Sequence, residues 1–335
     1  MTRAAVGMDI GGTNISVGLV GDDGALLRLW RESTPREIGE PATMARLLAL
    51  TAEAIAECDA TGARPIGIGI GFGGPVDIAA QRIRWSHHAP GWADIAPVQA
   101  FEERFSLPTR LENDANAGGL GEALFGAGRG AECVLYVNVG TGVGGAVVIG
   151  GKLHDGSHGN AGEIGHVILQ PDGPPCPCGK RGCVEALCSG SAIGRRATTS
   201  PPGPLSTSGE GVDGAVDVLP SPAGRGVGGE APLTGAQVGK AAQEGDAFAR
   251  EVVAAAGRDL GLAIANACNV LDPDVVVVGG GVSELGDLYL GPAREAFAQY
   301  AMATIADKVS IVPALLGYNA GVIGAAAVAL VREDG

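Results

Sequence analysis

The sequence predicts an α/β protein with an internal duplication, and two observations support this. Short apolar strands alternate with helical segments along the 335 residues, and 57 glycines place turns between them. A strand, a glycine turn and a second strand then occur twice, at residues 8–14 (MDIGGTN) and 137–143 (VNVGTGV). Aligning the two copies places Asp9 on Asn138 and Gly11 on Gly140. A repeated unit of this kind indicates a duplicated architecture.

The order of the elements follows from hydrophobic periodicity and turn signals. Short apolar runs bounded by turn residues predict strands at residues 6–10, 15–20, 25–30, 66–70, 133–139, 145–149 and 275–278. Apolar residues at helical spacing predict helices at residues 41–58, at 236–271 in one or two pieces, and at 320–333. Asp272-Pro273 is predicted to end the second of these regions. The small residues of the last helix suit it to close packing on a neighbouring element.

Composition narrows the class of protein. The chain is 46% hydrophobic and 18% charged, which is typical of a globular protein, and its net charge of −14 disfavours nucleic acid or an anionic membrane as a partner. The negative charge does not exclude a nucleotide as a ligand, because backbone amides can bind phosphate without many lysines. No apolar run reaches the length of a signal sequence or a membrane span, so we expect a cytoplasmic protein.

Residues 198–235 form the one low-complexity stretch, which is rich in Gly, Pro and Ser. Such a composition buries too little apolar surface to offset the conformational entropy that is lost on ordering. We therefore predict a surface insertion between helical segments, with a functional lid as the alternative.

The glycine turns have a chemical use. Glycines let the backbone approach phosphate oxygens closely, and the carboxylate of Asp9 at a strand end is suited to holding Mg²⁺. Residues 140–145 also match the G-x-G-x-x-G fingerprint of dinucleotide-binding proteins. That fingerprint needs a helix directly after the loop, whereas a strand follows here, so we reject a dehydrogenase. The remaining alternative is that these glycines only form tight hairpins.

A cysteine cluster predicts a metal site. Cys176, Cys178 and Cys183 lie within eight residues, and His166 lies ten residues before the first of them. In a reducing compartment this spacing favours a metal over a disulfide, and Cys₃His fills a tetrahedral zinc shell with no open position. The zinc is thus predicted to be structural, the alternative being three reduced cysteines in a turn. The other cysteines are single residues in apolar patterns and are predicted to lie in the core: Cys58, Cys133, Cys188 and Cys268.

The sequence resembles the ROK family of bacterial sugar kinases and sugar-responsive repressors over nearly its whole length. The segments that carry the resemblance are DIGGT at 9–13, ENDAN at 112–116, VGTGVGG at 139–145, AGEIGH at 161–166, CPCGKRGCVE at 176–185 and VVGGGV at 277–282. The cysteine signature together with AGEIGH is specific to the family, whereas the glycine loops are shared with wider hexokinase-like and actin-like proteins. Without the family, the pair Asn113-Asp114 indicates a helix N-cap more than a catalyst.

The resemblance implies an ATP-dependent sugar kinase and a role for each matching residue. Asp114 is implied as the general base that takes a proton from the attacking sugar hydroxyl. Sugar contacts are implied for Gly74, Asn113, Asp114, Glu163, His166 and Glu185, with one ring nitrogen of His166 left for zinc. Nucleotide and phosphate contacts are implied for Asp9, Gly11, Gly12, Thr13, Asn14, Gly140, Thr141, Gly142, Gly280 and Gly281. The implied cofactors are ATP, Mg²⁺ and the structural Zn²⁺.

The resemblance also implies two ribonuclease-H-like lobes of the actin-like ATPase type around a cleft. The smaller lobe would hold residues 1–118 with 321–335, and the larger would hold 119–320 with a zinc module at 161–185 and the insertion at 198–235. A homodimer or homotetramer is implied, with a sugar and a nucleotide as small-molecule partners.

The substrate is left open. Glucose is the first candidate, because Glu163, His166 and Glu185 match the family's glucokinases, yet kinases for mannose, fructose, N-acetylglucosamine and N-acetylmannosamine share this set. The chain departs from the family at Gly73-Gly74, where Pro-Gly is usual, and at residues 88–92, where Asn-Leu-Pro-Gly-Trp is common. Both segments lie near the sugar in relatives. His87 and His88 are either pocket donors or loop residues.

Two other classes of protein are disfavoured. The family's repressors carry a DNA-binding region before the DIGGT loop, which here begins at residue 9 and leaves no room for a helix-turn-helix. A sugar-binding protein without turnover is disfavoured by the presence of Asp9, Asp114 and both glycine loops. The donor, ATP or polyphosphate, is not decided by the sequence.

Overall fold

A computed structural model describes residues 2–12, 14–34, 40–84, 92–199 and 233–331. The strands are β1 Thr2–Ile10, β2 Asn14–Gly21, β3 Leu26–Ser33, β4 Ala63–Phe72, β5 Val76–Asp77, β6 Arg82–Ile83, β7 Thr109–Asn113, β8 Cys133–Val139, β9 Val143–Ile149, β10 Lys152–Leu153, β11 Val275–Gly279 and β12 Ser310–Pro313. The helices are α1 Glu40–Thr61, α2 Pro97–Phe105, α3 Asp114–Phe125, α4 Val184–Cys188, α5 Gly190–Thr199, α6 Gly235–Gln243, α7 Ala247–Leu271, α8 Asp287–Tyr300, α9 Ala303–Ala306 and α10 Ala320–Leu330.

Two five-stranded sheets have the same strand order, which confirms the predicted duplication. The orders are β3-β2-β1-β4-β7 and β10-β9-β8-β11-β12, so three strands that follow one another along the chain are joined by two later ones. In the first sheet, β2 runs antiparallel to both β1 and β3, while β4 runs parallel to both β1 and β7. Each glycine turn follows the central strand of its sheet. The α/β class predicted from the sequence is therefore correct.

The chain divides into two compact units. The first contains Met1–Tyr136, Gly145–Gly162 and Ala314–Gly335, and the second contains Val137–Gly144 and Glu163–Pro313. These bounds are not those of the predicted lobes, whose division at residues 118 and 321 stays a prediction.

The first unit has α10 packed closely on the strands at the centre of its sheet. A Cβ atom added at Gly69 of β4 would lie 1.7 Å from the carbonyl oxygen of Ala325, and one added at Gly7 of β1 would lie 2.0 Å from that of Val322. Glycine is therefore required at both positions, because backbone atoms occupy the space of a side chain. The close packing expected for the small-residue helix is confirmed.

A buried carboxylate fixes the segment that leads into α10. Glu122 of α3 is fully buried, and its two oxygens accept hydrogen bonds from the backbone N–H groups of Ala127, Leu315 and Leu316 at 2.9, 3.1 and 2.8 Å. Three N–H donors compensate for the desolvation of a carboxylate. Helix α3 and residues 315–316 are thereby held together.

The second unit is organised around the long helix α7, which packs on α6 and α8. Asp246 caps its N-terminus by accepting from the N–H of Ala249 at 2.7 Å, and Asp272 ends it in the left-handed conformation with φ of 51°. The predicted helical region 236–271 is thus two helices. Of the predicted insertion, residues 200–232 lie outside the described part of the chain. Among the helices described, none has the length and apolar character needed to cross a membrane.

Candidate active site

Asp9 lies at the end of β1, beside the first turn of α10. A Cβ atom added at Gly321 would lie 2.5 Å from Oδ2 of Asp9, so a larger residue there would displace this carboxylate. Burial, and then the negative charge of Asp114, raise the pKa of Asp9 to about 7, while Arg31 opposes this shift. The two carboxylates are therefore close enough to repel each other, and a divalent cation would relieve that repulsion.

The turn after β1 is held by backbone and side-chain hydrogen bonds. The N–H of Gly11 donates to the carbonyl oxygen of Asn14 at 3.0 Å, and the hydroxyl of Thr34 donates to the carbonyl oxygen of Gly11 at 2.8 Å. Gly12 follows in the same turn, whereas Thr13 lies outside the described residues, as do His87 and His88.

Arg31 of β3 was not predicted as a site residue. Its guanidinium donates to Oγ of Ser16 at 3.1 Å, to the carbonyl oxygen of Tyr318 at 2.9 Å and to Oδ1 of Asn319 at 3.2 Å. These bonds join the first sheet to the residues that precede α10. No local signal could have singled it out, since an arginine on a half-exposed strand is usually a solvated side chain.

Asn113 and Asp114 have different structural roles at the start of α3. The Oδ1 atom of Asn113 accepts from the N–H groups of Ala115 and Asn116, which makes Asn113 the N-cap, while its Nδ2 donates to the carbonyl oxygen of Gly74 at 3.2 Å. Asp114 is the first helical residue, and its Oδ1 accepts from the N–H of Ala115 at 2.8 Å. The cap predicted as the alternative to a catalyst is thus present, but it is Asn113 that forms it.

Gly73 lies directly against the carboxylate of Asp114. A Cβ atom added at Gly73 would lie 3.4 Å from Oδ2 of Asp114, and the N–H of Gly73 donates to the carbonyl oxygen of Ile10 at 3.2 Å. The departure from the family at Gly73-Gly74 therefore lies beside Asp114.

Glu112, a buried acid next to this group, was not predicted as a site residue. Its Oε1 accepts from the N–H of Asn113 at 2.8 Å and from Nδ2 of Asn116 at 2.9 Å, and the residue is 4% exposed. Burial raises the pKa of Glu112 to about 7, the two hydrogen bonds lower it, and the charge of Asp155 raises it further.

Replacing Glu112 by Gln is expected to make stability less dependent on pH. A carboxyl with a folded pKa near 7 and an ordinary value of 4.5 keeps its proton longer in the folded state, so unfolding releases a proton and stability falls as the pH rises through this window. The amide cannot ionise, and its oxygen can accept both hydrogen bonds. Unfolding by urea at pH 5 and pH 8 should show the variant gaining up to about 3 kcal/mol on the wild type at the higher pH.

The exposed Glu103 of the same unit supplies the control for this measurement. Glu103→Gln should follow the wild type at both pH values. An equal difference between Glu112→Gln and the wild type at pH 5 and pH 8 would contradict a raised pKa at Glu112.

The predicted metal ligands come together in the second unit. The ligand atoms of His166, Cys176, Cys178 and Cys183 all lie within 4.8 Å of one another, and we call these four residues the zinc cluster. Nδ1 of His166 lies 3.8 Å from Sγ of Cys176, and the sulfurs of Cys178 and Cys183 are 3.6 Å apart. A tetrahedral zinc with Zn–S bonds of about 2.3 Å places its sulfurs about 3.8 Å apart, so the donor set fits this ion.

Two acidic residues lie beside the zinc cluster. Oε2 of Glu163 lies 3.8 Å from Nε2 of His166, whereas the other ring nitrogen, Nδ1, is the one near Sγ of Cys176. Oε1 of Glu185 lies 3.7 Å from Sγ of Cys176, and its Oε2 accepts from the N–H of Val143 at 3.0 Å. Without a metal, burial raises the pKa of Cys183, whereas the backbone N–H of Lys180 lowers that of Cys178.

The second glycine turn lies against the turn after β11. The N–H of Gly140 donates to the carbonyl oxygen of Gly142 at 3.0 Å, which closes the turn that contains Thr141. Gly280 has φ of 85°, and an added Cβ would lie 2.4 Å from the carbonyl oxygen of Val139, whereas no atom within 4 Å would oppose one at Gly281. The predicted nucleotide contacts of the second unit therefore lie close together.

The structure thus forms two groups of predicted site residues, one in each unit. The first unit groups Asp9, Gly11, Gly12 and Asn14 around the turn after β1, and Gly74, Asn113 and Asp114 at the start of α3. The second unit groups Gly140, Thr141, Gly142, Gly280 and Gly281, and the zinc cluster with Glu163 and Glu185.

A repeated sheet with a glycine turn after each central strand, and an aspartate before the first turn, define a protein of the actin-like ATPase superfamily. Comparison with known proteins agrees: residues 5–332 match the ROK family. The chain is 36% identical to the glucokinase of Halalkalibacterium halodurans, over 96% of this chain and 93% of that protein. The chain therefore belongs to the ROK family, as its motifs indicated.

Two solved structures share the fold over almost the whole chain. The ROK hexokinase of Thermus thermophilus is 34% identical with a TM-score of 0.77, and the alignment covers 97% of each chain. The ROK glucokinase of Streptomyces griseus, solved in complex with glucose and AMPPNP, is 31% identical with a TM-score of 0.74, and the alignment covers 97% of this chain and 98% of that one.

Proposed function

We propose that this chain transfers the γ-phosphoryl group of ATP to a hydroxyl of glucose, forming glucose 6-phosphate. The observation that carries the proposal is the fixed position of Asp114 at the start of α3, beside Gly73 and near Asp9, in a chain 36% identical to a glucokinase. Phosphoryl transfer needs alignment, charge neutralisation and one base. In the proposal these residues supply the alignment and the base, and Mg²⁺ held by Asp9 would supply the charge neutralisation.

In the proposed mechanism Asp114 accepts the proton of the attacking hydroxyl. Asn113 and Gly74, joined by a hydrogen bond, fix the backbone around it, and Asp9 would hold Mg²⁺, which supplies positive charge to the phosphates when bound. The glycine turns at 11–12, with Thr13 and Asn14, and at 140–142, with Gly280 and Gly281, would bind the nucleotide through backbone N–H groups.

Sugar hydroxyls are proposed to donate to Glu163 and Glu185 and to pair with His166. Zinc on Nδ1 of His166 would fix the ring orientation and leave Nε2 for the sugar, in agreement with the side on which Cys176 lies. The same proposal includes two ribonuclease-H-like lobes, the smaller with residues 1–118 and 321–335 and the larger with residues 119–320. It also includes assembly as a homodimer or homotetramer.

A coupled assay of ADP release tests the proposal. The full chain, loaded with zinc, is supplied with Mg·ATP and in turn with glucose, mannose, fructose, N-acetylglucosamine and N-acetylmannosamine, and a parallel arm replaces ATP by polyphosphate. Saturable turnover with the highest kcat/KM on glucose is expected. Preference for another sugar would replace glucose as the assigned substrate and would indicate that Gly73-Gly74, beside Asp114, alters the sugar specificity. No turnover on any sugar would reject the proposed kinase activity.

A further inference from the structure

One carboxylate contacts both the zinc cluster and the loop of residues 140–143, which we call the glycine loop. Glu185 lies in the first turn of α4, two residues after Cys183 of the cluster. Its Oε2 accepts from the N–H of Val143 at 3.0 Å, while its Oε1 lies 3.7 Å from Sγ of Cys176. A side chain placed to meet a sugar hydroxyl is therefore also bonded to the backbone of the proposed nucleotide loop.

The glycine loop is shaped to fit this side chain. A Cβ atom added at Gly142 would lie 2.4 Å from Oε2 of Glu185, so any other residue there would displace the carboxylate from its present position. On the other side of Val143, a Cβ added at Gly165 would lie 2.0 Å from the carbonyl oxygen of Val143. The short 3₁₀ turn Ile164–His166, which carries a ligand of the cluster, thus lies against the same residue.

Helix α5 completes the attachment of the loop. The N–H of Gly190, the first residue of α5 and five residues after Glu185, donates to the carbonyl oxygen of Gly140 at 2.8 Å. The other end of the loop is held by a side chain: the N–H of Val143 donates a charge-assisted hydrogen bond to the carboxylate of Glu185.

We infer that Glu185 is a positioning residue for the glycine loop, in addition to any contact with the sugar. The inference rests on the proposed function, in which this loop binds the phosphates of ATP. Backbone amides bind phosphate only when they point to one place, and Glu185 fixes the backbone at one end of the loop. The zinc cluster, through α4, would then set the affinity for the nucleotide as well as the geometry of the sugar site.

The sign of the effect separates this role from two simpler ones. If Glu185 served the sugar alone, its removal would leave nucleotide affinity unchanged in the absence of sugar. If it acted only through its negative charge, removal would strengthen the binding of an anionic nucleotide. A positioning role predicts weaker binding on removal, because the loop loses the bond that fixes Val143.

Calorimetric titration of the sugar-free, zinc-loaded full chain with Mg·AMPPNP tests the inference. Glu185→Ala is expected to weaken binding by about tenfold, the loss of one charge-assisted hydrogen bond. Glu185→Gln is expected to stay within about threefold of the wild type, because the amide oxygen accepts from the N–H of Val143. Glu163→Gln supplies the matched control: it lies against His166 in the same cluster, and should weaken glucose binding without changing AMPPNP binding.

Hydrogen exchange at the Val143 amide gives a second measurement that does not depend on activity. Exchange should be faster in Glu185→Ala than in the wild type, and Glu185→Gln should restore the protection. Zinc content and melting temperature of each variant show whether it is folded and loaded. If Glu185→Ala fails either check, the test compares Glu185→Gln with Glu185→Asp. The shorter side chain of Asp cannot reach Val143, so Glu185→Asp should show the weaker binding of AMPPNP and the faster exchange.

The outcomes distinguish the inference from the function on which it rests. A wild type that does not bind AMPPNP would reject the proposed kinase. A wild type that binds AMPPNP, with an alanine variant of equal or higher affinity and equal exchange at Val143, would overturn the positioning role and leave the kinase standing.

Discussion

Replacing Asp114 by Asn is expected to lower kcat for glucose phosphorylation by about 10²–10⁴-fold, the usual contribution of a general base. The amide cannot accept the proton of the attacking hydroxyl. Its oxygen can still accept from the N–H of Ala115, so α3 should begin at the same residue. Glucose affinity, measured by calorimetry without nucleotide, should change by no more than a few-fold.

The exposed Asp22 in the turn between β2 and β3 offers a matched control, since Asp22→Asn removes a carboxylate of the same unit. This variant should retain wild-type kcat. If the loss of the Asp114 charge acted by weakening the binding of Mg²⁺, the variant would need a higher magnesium concentration for full activity. Repeating the assay over a range of MgCl₂ concentrations measures this requirement. Turnover near the wild-type rate in Asp114→Asn would remove Asp114 from its role as base.

Replacing Cys178 by Ala is expected to release zinc and weaken glucose binding. Three ligands hold zinc far less tightly than four, and the Cys178 thiol is exposed, so the substitution leaves no buried cavity. The zinc content, measured by elemental analysis, should fall from one zinc per chain to nearly none. Glucose affinity should fall by about tenfold or more, because His166 loses the metal that orients its ring.

Cys133→Ala tests the specificity of this result, because Cys133 is half-buried and lies outside the zinc cluster. It should keep its zinc and its glucose affinity. Treating the wild type with a chelator should reproduce the cysteine variant, and adding zinc back should reverse the treatment. Full zinc content in Cys178→Ala would refute the metal site.

Much of the fold could be predicted because its signals are local. The glycine turns after β1 and β8 and the apolar runs beside them depend on neighbouring residues, and so does the end of α7 at Asp272. The cysteines of the zinc cluster are also close in sequence, within eight residues, so their spacing was enough to predict a group that the structure brings together.

The contacts that were missed join residues far apart in the chain. Arg31 meets Tyr318 and Asn319, and the bond from Glu185 to Val143 crosses 42 positions. Such contacts depend on how strands and helices pack, which periodicity does not encode. The raised pKa of Glu112 was missed for the same reason, because the neighbours that bury a side chain are set by the whole fold.

The packing of α10 on β1 and β4 has a consequence for the order in which the protein matures during translation. The ribosome releases the first sheet early, but Gly7 and Gly69 stay uncovered until residues 320–330 have emerged. The second unit, which ends at Pro313, has all of its residues before that point. Since its contacts need no later part of the chain, it can reach its native packing first. The unit that contains β1 is therefore completed after the second unit, although β1 is translated earlier.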